Sequence, residues 1–344
     1  AQKYEAQIIP IYFFTVTKWG RNRRRPANGP CNKRKNINRK EVKRKRTLKD
    51  WVIATRPWSF PASVMPILIM WGFLAYMGKH GTDVNWTNAL LCLPLLVMAH
   101  AGGNMVSDYY DYTRKVDLKD SPNGVTWIYD GTFAAKTILR YGICLLVLAL
   151  PIGLYLLAHS SWTALWIGVA GMALATLYPQ MKAHALGDLN ILVSFALLPA
   201  FGTAYVATNQ YMPEALFTIL PLGLLTVAIL HANNTRDIDN DKRAGLATLS
   251  AAIGLECAKK VYVGELALPF VLTLVYTAMG GAPWTSLIVV VALPLALRNI
   301  RTLLGARHDK AHMGIATLDK DSAQLQMTFG VLCALGYLMG GWIG

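Results

Sequence analysis

Two asparagine-led acidic stretches stand about 130 residues apart, each at the end of an apolar run. The first is Asn104-Met-Val-Ser-Asp108-Tyr-Tyr-Asp111, continuing to Asp117. The second is Asn233-Asn234-Thr-Arg236-Asp237-Ile-Asp239-Asn-Asp241-Lys242-Arg243. On a helix, Asp108 and Asp111 share a face at a spacing of three, and Asp237 and Asp241 do so at a spacing of four. Asp239 points elsewhere. Asn104 stands one turn before Asp108, and Asn233 and Asn234 stand one turn before Asp237. Each stretch therefore offers two carboxylates and an amide oxygen on one stripe. That donor set suits Mg²⁺, which takes carboxylate, water and phosphate oxygens and keeps part of its shell for a substrate. Two such sets point to a diphosphate held through metal.

The interleaved cations fit the same anionic ligand. Arg114, Lys115, Lys119, Arg236, Lys242 and Arg243 can neutralise diphosphate oxygens; each can equally anchor a helix end to the headgroups. Arg56, in Arg56-Pro-Trp-Ser-Phe-Pro, can snorkel to the membrane surface or reach inward to the diphosphate, and spacing leaves both open. Trp58 and Phe60 are expected in the interfacial aromatic belt. Tyr109, Tyr110 and Tyr112 flank the first carboxylates. Their π-faces can shield a cation, or they can pack at the interface.

The elements that must position these residues are membrane helices. The chain has 344 residues, of which 54% are hydrophobic and only 15% charged, and its mean hydropathy is +0.34. Soluble domains carry about 25% charged residues. Apolar runs of spanning length predict nine helices near 60–78, 88–107, 138–158, 162–180, 189–208, 215–233, 260–280, 284–304 and 326–343. The expected fold is all-α and polytopic, enclosing a central cavity over 51–344. Carboxylates near a bilayer are costly, so both acidic clusters are functional candidates.

The net charge of +15 is concentrated at one end. Residues 1–50 hold 16 Lys/Arg against three Asp/Glu. The run Lys33–Arg46 reads as a disordered basic tail against anionic headgroups, and no nucleic acid partner is expected. Ile8–Val16 is too short to span, and no clear cleavage site follows, so no cleaved signal peptide is expected. Cys31, Cys92, Cys144, Cys257 and Cys333 form no CxxC pair and support neither a disulfide framework nor a zinc site. With the basic tail in the cytoplasm, the connections after the second, fourth, sixth and eighth spans face the same side and carry most remaining Lys/Arg, Lys182 among them. Both acidic clusters then share the cytoplasmic face, and an odd number of spans puts Gly344 opposite.

With these residues in view, the chain resembles the intramembrane aromatic prenyltransferases of the UbiA superfamily. Within it, the resemblance is strongest to the 1,4-dihydroxy-2-naphthoate polyprenyltransferases of menaquinone synthesis and the related animal enzyme that makes vitamin K2. It covers about residues 50–344. It rests on Arg56-Pro-Trp-Ser-Phe-Pro-Ala-Ser, Gly103-Asn104…Asp108-Tyr-Tyr-Asp111…Asp117, Leu186-Gly187-Asp188 and His231-Ala-Asn-Asn-Thr-Arg-Asp237…Asp241-Lys-Arg-Ala-Gly245. The resemblance implies that Asp108, Asp111, Asp237 and Asp241 bind Mg²⁺ and diphosphate, with Asn104 and Asn234 joining or supporting them. It implies that Lys182 helps to hold substrate and that Asp188 shapes the cavity. The sequence departs at Ser107, where the family often has Asn, at Tyr178-Pro-Gln-Met181, where naphthoate enzymes carry Tyr-Thr-Gly-Gly, and at Gly124-Val-Thr-Trp127.

The implied reaction transfers a polyprenyl group from its diphosphate to an aromatic acceptor of the dihydroxynaphthoate type, with loss of the acceptor carboxyl as CO₂. Other phenolic acceptors, 4-hydroxybenzoate or homogentisate, are the alternatives within the superfamily. A CDP-alcohol phosphotransferase is disfavoured because Asp130-Gly-Thr-Phe-Ala134 lacks the rest of that signature. A cation-coupled transporter would place its carboxylates near the bilayer midplane, whereas these stand at helix ends.

Overall fold

The computed structural model describes residues 46–114, 126–243, 245–307 and 314–343. Lys115, Asp117, Lys119 and most of the basic tail lie outside the described residues, as does the side chain of Arg114. Among the described residues, nine helices are long and apolar enough to cross a membrane. They are α1 Pro61–Lys79, α2 Trp86–Thr113, α3 Ala135–Ala158, α4 Trp162–Ala183, α5 Gly187–Thr208, α6 Pro213–Arg236, α7 Leu255–Ala278, α8 Trp284–Leu304 and α9 Leu318–Ile343. No strands occur among these residues, so the all-α polytopic fold stands.

Three helices run five or more residues beyond the expected bounds, and in each case the extra turns are polar. α2 continues through Asp108 and Asp111. α7 begins five residues before 260 and takes in Glu256 and Lys259. α9 begins at Leu318, eight residues before 326, with Asp319 and Asp321 in its first turn. Hydropathy ends a span where polar residues begin. The backbone continues because these side chains face other helices or the headgroup region, and acidic groups suit a helix N-terminus. A short helix, Leu48–Ala54, also precedes the expected boundary at 51. Its Thr47–Asp50 capping box is reciprocal, each side chain bonding the other's backbone N–H.

α6 is the most enclosed helix, whereas α4 buries nothing in its most apolar stretch and turns Trp162, Trp166 and Met172 outward, toward lipid. α6 packs on α7 and α9, α1 on α9, and α2 on α3. Small residues permit the closest approaches, as expected where van der Waals packing drives association. At the α2–α3 crossing, a Cβ on Gly142 would lie 2.9 Å from the Met105 Cβ and 3.0 Å from the Gly102 carbonyl oxygen. Gly142→Val is therefore expected to destabilise by about 1–3 kcal/mol. A lower detergent melting midpoint would show this; an unchanged midpoint would mean that α2 and α3 do not depend on this contact.

Consecutive helices joined by short loops run antiparallel. α2 and α6, four crossings apart, thus end on the same side and carry both acidic stretches there. The loops after α4 and α6 are stitched together on that side: the Ala247 N–H donates to the Ala183 carbonyl at 3.3 Å.

Candidate active site

The first acidic stretch belongs to the unbroken helix α2, which keeps Asp108 and Asp111 on one face. Asp108 is wholly buried. Arg56 approaches it from the turn before α1 and forms an ion pair through Nη2, with its guanidinium 5.9 Å from the Trp127 ring centroid. Of the two directions open to Arg56, the structure takes the inward one. Its left-handed backbone, φ 58° and ψ 57°, turns the chain sharply into the Pro57–Ser59 turn and costs on the order of 1–3 kcal/mol for a non-glycine residue. Ser107, a departure from the family pattern, donates its hydroxyl to Asp111 Oδ2 at 3.2 Å.

Asn104 donates its amide nitrogen to Ser59 Oγ at 3.1 Å, which orients its amide oxygen away from that contact. Ser59 and Ser63 in turn bond the two ring nitrogens of His100, at 3.3 and 2.7 Å. His100 stands one turn before Asn104 on the same stripe. Phe60, expected at the interface, packs against the His100 ring at 5.7 Å, because the turn at Arg56 swings it inward. Trp58 is 59% exposed. Tyr109 stacks edge-on with Tyr110 at 5.3 Å.

The second stretch straddles the end of α6. Asp237 caps the helix, and the short helix Ile238–Arg243 follows. The Asp241 N–H still donates to the Asp237 carbonyl at 2.8 Å, so the helical register of the two carboxylates persists, and Asp239 is exposed. Arg236 forks onto Asp237 at 3.1 and 2.9 Å and bonds the Asn233 amide oxygen. Its Nη1 reaches Asp319 Oδ2 on α9 at 3.1 Å. Asp319 is a site residue that sequence reasoning missed; an acidic first turn was the signal, hidden by starting the span at 326. Asn234 is buried, and Asn233 lines the cavity. Lys242 is exposed, and Arg243 turns to its own helix, bonding Asn240 Oδ1 at 2.6 Å.

Asp241 accepts from the Thr248 hydroxyl at 3.0 Å. Burial pushes its carboxyl above the ordinary aspartate range; the Thr248 bond and the nearby Lys182 charge oppose this, and Asp237 adds to it. A raised carboxylate pKa means that cation binding here, which needs the ionised form, is lost as pH falls, starting above the ordinary aspartate value of about 3.9. Thr248→Val removes an opposing contact and is expected to move the acid limb of activity to higher pH, with Thr248→Ser restoring it. A limb unmoved by Val would detach Asp241 from activity.

A cavity lies between groups that contact the two stretches. It has a volume of about 230 Å³ and is lined by Ser59, His100 and Ile191, by Phe195 and Asn233, and by Asp319, with Ala62, Thr226, Ile229 and Leu230 completing the wall. Phe195 sits in a widened π-type turn, Val193–Leu197, within α5; such turns cluster at functional sites. The cavity thus has polar groups bonded to Asn104 at one edge, polar groups bonded to Arg236 and Asp237 at another, and an apolar wall between. Asp188 contacts His231 at 3.3 Å.

Residues 65–316 match the UbiA prenyltransferase family. The chain belongs to this family. It is 30% identical over 295 residues to the UbiA prenyltransferase domain-containing protein 1 of Rattus norvegicus, a match spanning 84% of this chain and 83% of the relative. The apo structure of a UbiA homolog from Aeropyrum pernix K1 aligns over 80% of this chain and 97% of that one, with a TM-score of 0.56 and 16% identity. The structure of a UbiA homolog from Archaeoglobus fulgidus bound to DMAPP and Mg²⁺ aligns over 83% and 99%, with a TM-score of 0.51 and 16% identity. The protein is thus a multi-pass membrane prenyltransferase of the UbiA family.

Proposed function

We propose that this UbiA-family protein transfers a polyprenyl group from its diphosphate to 1,4-dihydroxy-2-naphthoate, with loss of CO₂, to give demethylmenaquinol and diphosphate. The cavity lined by Asn233 of the second stretch and by Ser59, which bonds Asn104 of the first, carries this reading. The donor atoms on offer for a metal are the carboxylates of Asp108, Asp111, Asp237 and Asp241 and the amides of Asn104 and Asn234, an all-oxygen set that fits Mg²⁺. Bound there, Mg²⁺ supplies positive charge to the diphosphate as it departs.

The chain's own groups perform the rest. Arg56 and Arg236, with Lys182 near Asp241, stand where negative charge develops, and preorganised cations act most strongly out of water. Lys242, Arg243 and Tyr109 are assigned to diphosphate binding, as is Lys115, which lies outside the described residues. The apolar wall of Ile191, Phe195, Ile229 and Leu230 keeps water from the allylic carbon as its C–O bond breaks. The electron-rich ring attacks that carbon through the position bearing the carboxylate. A C–C bond forms, CO₂ leaves, and its bonding electrons restore the aromatic ring, so no external oxidant is needed. The bilayer supplies the prenyl substrate laterally. The basic segment 1–50 and the site loops are assigned to the cytoplasmic face, and the C-terminus to the opposite one.

The test is a membrane assay with geranylgeranyl diphosphate, Mg²⁺ and 1,4-dihydroxy-2-naphthoate beside 4-hydroxybenzoate, read by mass spectrometry. A prenylated naphthoquinol lacking the carboxyl carbon supports the reading. A prenylated benzoate alone replaces the acceptor and keeps the mechanism.

A further inference from the structure

Three membrane helices bring two carboxylates and an imidazole to one interior point. Asp188 opens α5, His231 lies near the end of α6, and Glu265 stands in the first half of α7. One donor atom from each lies within 4.8 Å of the others. The residues are 8%, 0% and 8% exposed, and none of them lines the cavity.

The hydrogen-bond pattern dictates what must lie between them. His231 Nε2 is 3.1 Å from the Ala258 carbonyl oxygen, which can only accept, so Nε2 carries a proton. Nδ1 faces Asp188 Oδ2 and Glu265 Oε1, each at 3.3 Å. In the neutral ring, Nδ1 presents a lone pair, and three electron-rich atoms would then confront one another in a low-dielectric interior. A positive species among them relieves that repulsion. A proton on Nδ1 would be divided between the two oxygens in a three-centre bond, and both separations exceed the roughly 2.7–2.9 Å of a charge-assisted bond. It would also leave the cluster with an uncompensated negative charge.

A divalent ion satisfies the charge and both nitrogen–oxygen separations. Two carboxylates and a neutral imidazole balance it to zero. Donors bound tetrahedrally at about 2.0–2.1 Å stand roughly 3.3–3.4 Å apart. The outer oxygens, Asp188 Oδ1 and Glu265 Oε2, are buried without hydrogen-bond partners among the described residues, so either carboxylate can bind through both oxygens. The Nε2–H bond to a backbone carbonyl is the outer contact that metal-bound histidines use to hold their tautomer.

We propose that Asp188, His231 and Glu265 form a structural site for one divalent transition-metal ion of the Zn²⁺ class, separate from the all-oxygen cation set at the acidic stretches. Imidazole favours such ions over Mg²⁺. The ion would clamp α5, α6 and α7 together two residues before Asn233, and so hold the helix end that carries the second acidic stretch. The proposal does not depend on the acceptor or on the reaction.

The test uses full-length protein purified in detergent, stripped with chelator, reloaded with Zn²⁺, exchanged into Mg²⁺ buffer and assayed by elemental mass spectrometry. About one zinc per chain is expected in the wild type and in Asp237→Asn, and less than roughly a tenth of that in Glu265→Gln and Asp188→Asn. Zinc should raise the melting midpoint of the wild type and of Asp237→Asn, and leave those of Glu265→Gln and Asp188→Asn unmoved. X-ray absorption of the reloaded wild type, which needs no folded variant, should show one imidazole among oxygen donors. Wild type that takes up no zinc, zinc retained in Glu265→Gln, or an absorption spectrum without imidazole would each overturn the site.

Discussion

Asp108→Asn and Asp237→Asn are each expected to lower prenyl transfer by about a thousandfold or more, equivalent to about 4 kcal/mol of transition-state stabilisation. Each exchange keeps the side chain's size and removes its charge. Asp108 is the fully buried partner of Arg56, and Asp237 shares Arg236 with Asp319. On the proposed reading, each carboxylate is needed both to attract a hard cation and to hold an arginine in place. The loss should appear in kcat at saturating prenyl diphosphate, with protein still present in membranes and monodisperse in detergent. Turnover within tenfold of wild type in either variant would remove that residue from the metal set.

Arg236→Met should act on stability and activity together. The guanidinium is enclosed, with a side chain only 10% exposed, and it serves Asn233, Asp237 and Asp319 at once. Removing it strands two carboxylates. Breaking a buried pair costs about 3–5 kcal/mol, and partial exposure of the partners reduces this to about 2–3 kcal/mol. Prenyl transfer should fall about a hundredfold, through a raised KM for the diphosphate substrate and a lower kcat. Asp319→Asn placed on top of Arg236→Met should recover part of the lost stability by removing one stranded charge, and should recover no activity. A double variant no more stable than Arg236→Met would show that α9 is not coupled to the second acidic stretch. Arg236→Lys should rescue poorly, because an ammonium cannot reproduce the fork onto Asp237.

Much of the fold was legible because a bilayer imposes a simple rule: spanning segments must be apolar and must satisfy their own backbone. Nine apolar runs therefore read as nine helices, and Lys/Arg asymmetry placed both acidic stretches on one side. The misplaced starts of α7 and α9 come from the same rule. It detects the hydrocarbon region and not the helix, so turns carrying Glu256, Lys259, Asp319 and Asp321 were read as loop.

Local spacing alone determined the pairing of Asp108 with Asp111 and of Asp237 with Asp241, because residues three or four apart share a helix face whatever else the chain does. The remaining site residues depend on separations that periodicity does not encode. Arg56 could face lipid headgroups or Asp108 until the left-handed turn before α1 set its direction. His100 gained its place from two serines some 40 residues away, and Asp319 from Arg236, 83 residues earlier in the chain. Asp188, His231 and Glu265 meet only because α5, α6 and α7 pack side by side. Sequence thus determined which elements form and which chemistry they carry, because both are local. The cavity, the direction of each cation and the interior triad required the helix packing, because each is a contact between distant parts of the chain.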